Sequence, residues 1–533
     1  MKGWRYVLAG IALGAGIAAG ALLMWRGIRR GDEPPALSAT DGRRLFETVL
    51  NRVERSWVDS IETDELFRRA AMGLVAQLGD PSSEYLDARR LERLREATAG
   101  TYSGVGMSLD RRDGWLVVTF VRVGTPAERA GITIGDRLVD VDGKSLRDMT
   151  PDEARAALRS AAGTRLSIII ERGSAQARIP VSVERDEIHV SAVSRATLLN
   201  ARVGYFGITM FNDSTAADVQ RTMDSLTTAG ARAFVVDLRG NPGGLLSQGV
   251  AVAELFLDKG QRIASTRGWL AASNVEYVDK EPQTWGGRPL VMLVNGNTAS
   301  AAEVVVGALQ DHDRALLMGR QTYGKGSAQA VLQLDDGGGL KLTSARWYTP
   351  LGRSIERPHT VVTADAGADT TRPVFHTAGG RVMTGGGGIR PDIVSGDSVL
   401  SIIAERAWVR AIGTRVTPFR QALTEYAGQL IRAGRVTDPL FEVDRAMRDG
   451  LYGTLRARGV DVPRAVFDDV RDLVDRVLGQ EAARIAFGIP GAQQRAVRTD
   501  LLVARALSLL EGVETAEALI KRVSRMQAAD DGT

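Results

Sequence analysis

A serine stands at a predicted helix start, in a setting that could make it a nucleophile. Residues 295–311 read NGNTASAAEVVVGALQD and follow RPLVMLVNG (288–296), an apolar run that predicts a buried strand. A sharp turn between strand and helix would present the hydroxyl of Ser300 at the edge of a sheet. Free N–H groups at the helix start could then hold an oxyanion. The alternative is that Ser300 only caps the helix.

A base for this serine has to come from elsewhere in the chain, and Lys325 is the candidate. It lies between two glycines in TYGKGSAQA (322–330). Burial disfavours the charged form of a lysine and lowers its pKa, so a buried Lys325 could accept the serine proton. In an extended segment Lys325, Ser327 and Gln329 share one face, which would let Gln329 orient the amine. A lysine in a surface loop is the alternative.

A glycine-rich turn offers candidate donors for the oxyanion. The segment DLRGNPGGLL (237–246) predicts a strand end followed by a tight turn that exposes backbone N–H groups. It lacks the GxxxxGK[ST] spacing of a phosphate-binding loop. The chain has no cysteine, and its four histidines show no metal-ligand spacing. We therefore predict neither a thiol nucleophile, nor a metal, nor any other cofactor.

The elements that must position these residues form an α/β core between residues 187 and 400, where apolar strands alternate with helices. Before it, residues 99–186 predict a small module of short strands with one clear helix. Residues 36–98 and 401–533 show helical periodicity. The predicted fold class is thus a multidomain α+β and α/β protein with an all-α C-terminal region. That region is either an oligomerisation or partner domain or a packed accessory bundle.

The N-terminus predicts a transmembrane helix. Residues 6–25 contain no charged residue and are flanked by Lys2, Arg5 and Arg26, and their number suffices to span a bilayer as a helix. Residues 1–35 are therefore assigned as a membrane anchor and linker, with a cleaved signal peptide as the alternative. The net charge of +4 is small and spread along the chain, which argues against nucleic-acid binding.

Four segments together resemble the C-terminal processing peptidases, which are serine proteases of family S41. They are DLRGNPGGLL, VNGNTASAAEVVVGALQD, GRQTYGKGSAQ and YTPLGRSIER. The resemblance implies an α/β core of the ClpP or crotonase type. It also implies that Ser300 is the nucleophile, Lys325 the general base and Gln329 the residue that orients the base.

The same resemblance extends to the oxyanion hole. It implies that one donor is the N–H of Ala301 and that the other is the N–H of Gly243 or Gly244, with the choice between the two glycines left open. Glu303 matches a family glutamate, for which a structural role is expected. The chain departs from the shortest family members in a longer loop at residues 357–388.

The β-rich module resembles a PDZ domain, which this family carries ahead of its protease core. YSGVGMSLD resembles the carboxylate-binding loop with its following strand, and VGTPAERAGITIGDRLVDVDG (123–143) resembles a second PDZ segment. A peptide would then add as a strand along residues 106–110, beside the helix 151–160. A small β-barrel without a ligand is the alternative. The predicted peptide-binding residues are Ser103, Gly104, Val105, Gly106, Met107 and Leu158.

The resulting hypothesis is a serine endopeptidase with a Ser300/Lys325 dyad that cleaves proteins after its PDZ domain has captured an apolar C-terminal tail. The predicted partners are such protein or peptide substrates and the membrane, and a homo-oligomer is left open. We predict a single-pass protein of the cell membrane whose catalytic domain is extracytoplasmic, periplasmic in a bacterium, or secreted if the N-terminal segment is cleaved. The alternatives are a membrane-tethered, non-catalytic PDZ adaptor and a crotonase-like acyl-CoA enzyme.

Overall fold

The computed structural model describes residues 38–112, 114–147, 149–158, 162–173, 177–357, 372–394 and 399–530. The chain divides into two compact units, with the boundary between Tyr85 and Leu86. Among the described residues, no helix is both long and apolar enough to cross a membrane. The predicted anchor at residues 6–25 lies outside these residues and stays a prediction.

From residue 38 onward, the first unit contains two helices, α1 (Ala39–Ser56) and α2 (Thr63–Ala76). Ser38 is the N-cap of α1, because its hydroxyl oxygen accepts the N–H of Asp41 at 3.1 Å. A short strand, β1 (Glu84–Leu86), stands at the boundary of the unit. The helical periodicity seen in this part of the sequence thus corresponds to real helices.

The second unit begins with α3 (Ala88–Ala99) and continues into the β-rich module. The strands of the module are β2 (Thr101–Gly104), β3 (Met107–Arg112), β4 (Trp115–Val121), β5 (Arg137–Val141), β6 (Lys144–Ser145), β7 (Arg165–Arg172), β8 (Ala177–Glu184) and β9 (Asp186–His189). Its helices are α4 (Pro126–Arg129) and α5 (Pro151–Leu158). One antiparallel sheet has the order β3-β4-β5-β7-β8, with β6 on β5, so β3 is an edge strand.

The module has its own apolar core, and its first and last strands pair with each other. Leu166, Ile168 and Ile170 alternate along β7 and are fully buried, which is the pattern of a strand with one face inward. Strands β2 and β9 pair separately from the main sheet, with Thr101 opposite His189. The module therefore begins and ends at the same place.

The α/β core is built on a six-stranded sheet. Its strands are β10 (Val193–Leu199), β11 (Val203–Ile208), β12 (Ala233–Asp237), β15 (Leu290–Val294), β16 (Leu316–Gly319) and β21 (Ile393–Val394), in that order. All neighbours from β11 onward are parallel, and β10 is antiparallel. Strands β12 and β15 are buried along their whole length, as expected for parallel strands covered on both faces.

Helices cover the two faces of this sheet. One face packs against α6 (Thr215–Thr228), α7 (Leu246–Glu254) and α8 (Ala301–Asp311). The other face packs against α14 (Leu501–Leu510) and α15 (Ala516–Asp530), from the far end of the chain. The last two helices are therefore a layer of the α/β core.

A second sheet lies next to the core. Its antiparallel strands are β13 (Arg262–Arg267), β14 (Val275–Val278), β17 (Ser327–Gln333) and β18 (Gly339–Tyr348), with a 3₁₀ turn at Ala271–Ser273. Strand β18 pairs with both β13 and β17. A hairpin of β19 (Val374–His376) and β20 (Val382–Thr384) follows.

The remaining C-terminal helices form a separate hydrophobic cluster. They are α9 (Val399–Ile412), α10 (Val416–Arg432), α11 (Arg445–Ala457), α12 (Arg464–Asp469) and α13 (Arg471–Arg498). Helix α13 is interrupted at Gly488, where φ is 70°, just before Pro490. The predicted all-α region thus contains two parts, this bundle and the two helices that cover the core sheet.

Candidate active site

Ser300 lies where the chain turns from the carboxyl end of β15 into α8. Thr298 holds this turn, because its hydroxyl donates to the carbonyl of Leu238 at 2.8 Å and accepts the N–H of Asn295 at 3.0 Å. Ser300 is half-buried and has φ 56° and ψ −120°, a conformation that costs about 1–3 kcal/mol in a non-glycine residue. The N-cap Ser38, by contrast, is extended. The backbone of Ser300 therefore differs from that of an ordinary capping serine.

The segment that carries Lys325 runs beside this turn. Tyr323 donates its N–H to the carbonyl of Thr298 at 2.9 Å. The Oε2 atom of Glu303 accepts the N–H of Ser300 at 2.8 Å and the N–H of Lys325 at 2.9 Å. The two backbone nitrogens lie within about 6 Å of each other, since each is one hydrogen-bond length from the same oxygen. The fold thus brings together the two segments that the sequence analysis paired.

Glu303 is fully buried and receives four hydrogen bonds. Its second oxygen, Oε1, accepts the N–H of Gly324 at 2.7 Å and the hydroxyl of Thr322 at 2.5 Å. Burial raises the pKa of the Glu303 carboxyl, and the four donated hydrogen bonds act in the opposite direction. Because every one of these contacts is a donor, the geometry accommodates the ionised carboxylate.

The glycines around Lys325 are required by close packing. Gly324 has φ 88°, and a Cβ built on it would lie 2.9 Å from the backbone nitrogen of Gly388. Buried Trp347 holds the next residue, because its indole N–H donates to the carbonyl of Lys325 at 3.0 Å. The main chain of Lys325 is thereby fixed through both its N–H and its carbonyl, and the residue is half-buried.

Gln329 lies in β17 on the same face as Ser327, as the extended-segment argument predicts. Its Nε2 donates to the hydroxyl of Ser327 at 3.0 Å and to that of Thr343 at 3.1 Å. The pairing of β17 with β18 shifts register between Ala328 and Gln329. The role of Gln329 in orienting the lysine amine stays a prediction.

The glycine-rich turn lies against Ser300, and its N–H groups are not equivalent. A Cβ on Gly243 would lie 2.7 Å from the Cβ of Ser300 and 3.0 Å from the nitrogen of Ala301. The N–H of Gly243 donates to the side-chain oxygen of Asn241 at 2.8 Å and is occupied. Within the part of the chain that the structure describes, the N–H groups of Gly244 and Ala301 have no acceptor. Hydrogen bonding thus separates the two glycines that the sequence left open.

A groove of about 280 Å³ opens beside the edge strand β3 of the β-rich module. Ser103 does not line it and lies in β2 opposite Glu187. The other five predicted peptide-binding residues do line it, together with five that were not named individually. Of these, Ser108, Leu109 and Ala154 fall in the predicted ranges 106–110 and 151–160, whereas Tyr102 and Leu116 were missed. The full lining is Tyr102, Gly104, Val105, Gly106, Met107, Ser108, Leu109, Leu116, Ala154 and Leu158.

Comparison with known proteins identifies the family. A family model described as Peptidase family S41 matches residues 202–366, and one described as PDZ domain matches residues 117–172. The carboxy-terminal-processing protease of Bartonella bacilliformis is 35% identical over 58% of this chain and 72% of its own. The chain belongs to the S41 carboxy-terminal-processing proteases. It is therefore a serine-type peptidase with a PDZ domain.

A second curated protease and one solved structure are also similar to this chain. The carboxy-terminal processing protease CtpA of Bacillus subtilis is 33% identical to this chain, over 60% of this chain and 68% of its own length. Among solved structures, the photosystem II D1 C-terminal processing protease is 27% identical, covers 67% of this chain and 93% of its own, and has a TM-score of 0.35.

Several residues that shape the site of this peptidase were not predicted. Arg357 donates from Nη2 to the carbonyls of Thr322 at 3.2 Å and Gly387 at 2.9 Å, and so braces the lysine segment. Asp237 and Arg239 form an ion pair at the root of the glycine-rich turn. Arg357, Asp237 and Arg239 lie in motifs that the sequence analysis quoted. The partners of Arg357 are 30 or more residues away in sequence, so no local spacing reveals them, whereas Asp237 and Arg239 are only two residues apart.

Proposed function

We propose that this peptidase cleaves peptide bonds with a Ser300/Lys325 dyad, after its PDZ domain has bound an apolar C-terminal tail of the substrate. The observation that carries the proposal is the single oxygen of Glu303 that accepts the N–H groups of both residues. A common buried acceptor fixes the backbones of the nucleophile and the base relative to each other, which is the positioning that covalent catalysis requires.

The reaction follows from these positions. Lys325, uncharged, takes the proton of the Ser300 hydroxyl as the serine oxygen attacks the substrate carbonyl. The N–H groups of Gly244 and Ala301 donate to the oxyanion that forms. The C–N bond then breaks, Lys325 gives its proton to the leaving amine, and water hydrolyses the acyl-enzyme. Gln329 is assigned the orientation of the lysine amine.

Substrate capture is assigned to the groove beside β3. All its lining residues are uncharged, and most are apolar, which suits an apolar C-terminal side chain. The edge of β3 that does not pair with β4 can add a peptide strand, and residues 103–106, the end of β2 and the short loop before β3, can receive its carboxylate. We further propose that residues 6–25 tether the peptidase to the cell membrane, with its catalytic domain extracytoplasmic.

The dyad is tested with Ser300→Ala and Lys325→Ala, using Lys259→Ala, which removes an exposed lysine, as the control. The substrate is an unfolded reporter protein that ends in an apolar residue. We expect each dyad variant to lower kcat by at least about 10³-fold, as in other serine proteases that lose a catalytic side chain. Binding of an apolar-tailed peptide to the PDZ domain should be unchanged.

Near-full activity of Lys325→Ala would refute the dyad. Tight binding of the tailed reporter by the wild-type chain with no cleavage at any pH would instead favour the non-catalytic adaptor.

A further inference from the structure

A chain of buried and half-buried polar groups links the glycine-rich turn to the C-terminal helices. The hydroxyl of Tyr205 donates to Asp237 at 2.7 Å, and the guanidinium of Arg239 binds both oxygens of Asp237, at 2.9 Å and 2.7 Å. The same guanidinium lies 2.7 Å from Oδ2 of Asp500. Arg239 therefore joins the end of β12 to the start of α14, a helix outside the residues that the family model matches.

Asp500 divides its two oxygens between two tasks. Oδ1 accepts the N–H groups of Leu502 at 2.9 Å and Val503 at 3.1 Å, which caps α14. Oδ2 faces Arg239. Burial lowers the pKa of the Arg239 guanidinium, but the hydrogen bonds with Asp237 and Asp500 outweigh it, so that the pKa rises above its ordinary value. The negative charge of Asp500 is thus part of what holds Arg239 in place.

Arg239 begins the turn whose later residues approach Ser300. Gly240 donates its N–H to the side chain of Asn295 at 3.0 Å, and Ala299 donates its N–H to the carbonyl of Asn241 at 3.0 Å. These two hydrogen bonds join the glycine-rich turn to the loop that carries the nucleophile. A shift at Arg239 would be carried along these bonds to the glycines at the far end of the turn.

We propose that Asp500 is a positioning residue for peptide cleavage, which holds the oxyanion turn in register through Arg239. Helix α14 would then contribute to the reaction as well as to the core. This inference rests on the proposed function, because it assumes that the Gly244 N–H receives the oxyanion.

The test is Asp500→Asn, because asparagine caps a helix as well as aspartate does but carries no charge. We expect kcat to fall about tenfold, since a small misplacement of catalytic groups lowers the rate steeply, while KM stays within about twofold. The affinity of a peptidyl boronic acid, whose adduct fills the oxyanion hole, should fall by the same factor as kcat. Asp500→Ser, another good cap without charge, should behave alike.

Asp444→Asn is the matched control. Asp444 also caps a helix, α11, by accepting the N–H of Met447 at 2.8 Å, and it also pairs with an arginine, Arg435, at 2.5 Å. Asp444 belongs to none of the sequence motifs of the active site. We expect wild-type kcat from this variant, with all proteins compared per active site after titration with a fluorophosphonate.

If Asp500→Asn and Asp500→Ser keep the kcat and boronate affinity of the control, the inference is wrong even though Ser300→Ala is inactive. If Ser300→Ala itself remains active, the proposed function fails, and this inference fails with it.

Discussion

The nucleophile region and the PDZ groove are built in opposite ways. Around Ser300, backbone groups of two segments converge on one buried carboxylate, and the serine is held in a strained conformation. Beside β3, the walls are apolar side chains and the strand edge is open among the described strands. The first arrangement leaves little room for displacement, whereas the second, under the proposed function, would accept any chain that can extend and bury an apolar end.

Under the proposed function, this contrast separates the two demands on the peptidase, chemistry and substrate capture. Chemistry requires groups that are placed before the substrate arrives, and strain is maintained only where the surroundings over-determine it. Capture relies on main-chain pairing and a pocket, which are insensitive to most of the peptide sequence. Substitutions in the first region should therefore change kcat, and those in the second should change KM.

Outside the dyad itself, the largest effect is expected from Glu303→Gln. Each carboxylate oxygen of Glu303 accepts two hydrogen bonds, and in the variant the amide NH2 group would replace one of these oxygens. At least one buried N–H or O–H group would then lose its acceptor, at a cost of about 1–3 kcal/mol. We expect kcat to fall at least about 10²-fold, because the registers of Ser300 and Lys325 both depend on this carboxylate. Peptide binding to the PDZ groove, measured by fluorescence anisotropy, should not change.

Glu254→Gln is the control, since Glu254 ends α7 and belongs to neither region. An active Glu303→Gln variant with wild-type kcat would remove the distinction between the two regions.

A smaller effect is expected from Gly324→Ala, compared with Gly260→Ala. Both glycines have φ 88°, so both variants carry the same left-handed backbone penalty of about 1–2 kcal/mol. A Cβ at Gly260 meets nothing within 4 Å, whereas one at Gly324 meets backbone atoms of Gly388. The excess loss of thermal stability and of kcat in Gly324→Ala, about tenfold for kcat, measures how tightly the lysine segment is packed.

Equal kcat values for the two alanine variants would show that the lysine segment can move without loss of activity. That result would weaken the comparison on its rigid side.

The smallest effect is expected in the groove, from Met107→Lys. A cation in an apolar pocket should raise KM for the tailed reporter about tenfold and leave kcat unchanged. Hydrolysis of a short peptide that cannot reach the groove should proceed at the wild-type rate. Val123→Lys, at a residue of the same module that is 82% exposed, is the control and should leave both constants unchanged. A lower kcat for the short peptide would show that the groove also acts on the chemistry.

The main strands and helices could be predicted because each follows from the pattern of apolar residues within its own segment. LVMLV is apolar throughout and AFVVD is apolar up to its last residue, Asp237, and the strands they form are buried on both faces. The positions of α14 and α15 could not be predicted in this way. An amphipathic helix shows that one of its faces is covered, but not which surface covers it.

The site divides along the same line. Spacing and residue type indicated Ser300 and Lys325, and the fold places their backbones side by side. The difference between Gly243 and Gly244 depends on the side chain of Asn241, which occupies one N–H and not the other. Such a choice arises from a three-dimensional turn and leaves no trace in composition or periodicity.

The pairing of β2 with β9 has a consequence for how such enzymes diversify. The PDZ module begins at β2 and ends at β9, which are adjacent strands. The N–H of Val190 also donates to the carbonyl of Gly100 at 2.8 Å, so the module is an insertion whose two ends lie side by side. Replacing the segment between those strands would leave the path of the catalytic frame intact. Under the proposed function, recombination at these two adjacent strands would change which substrates are captured and leave the catalytic residues in place.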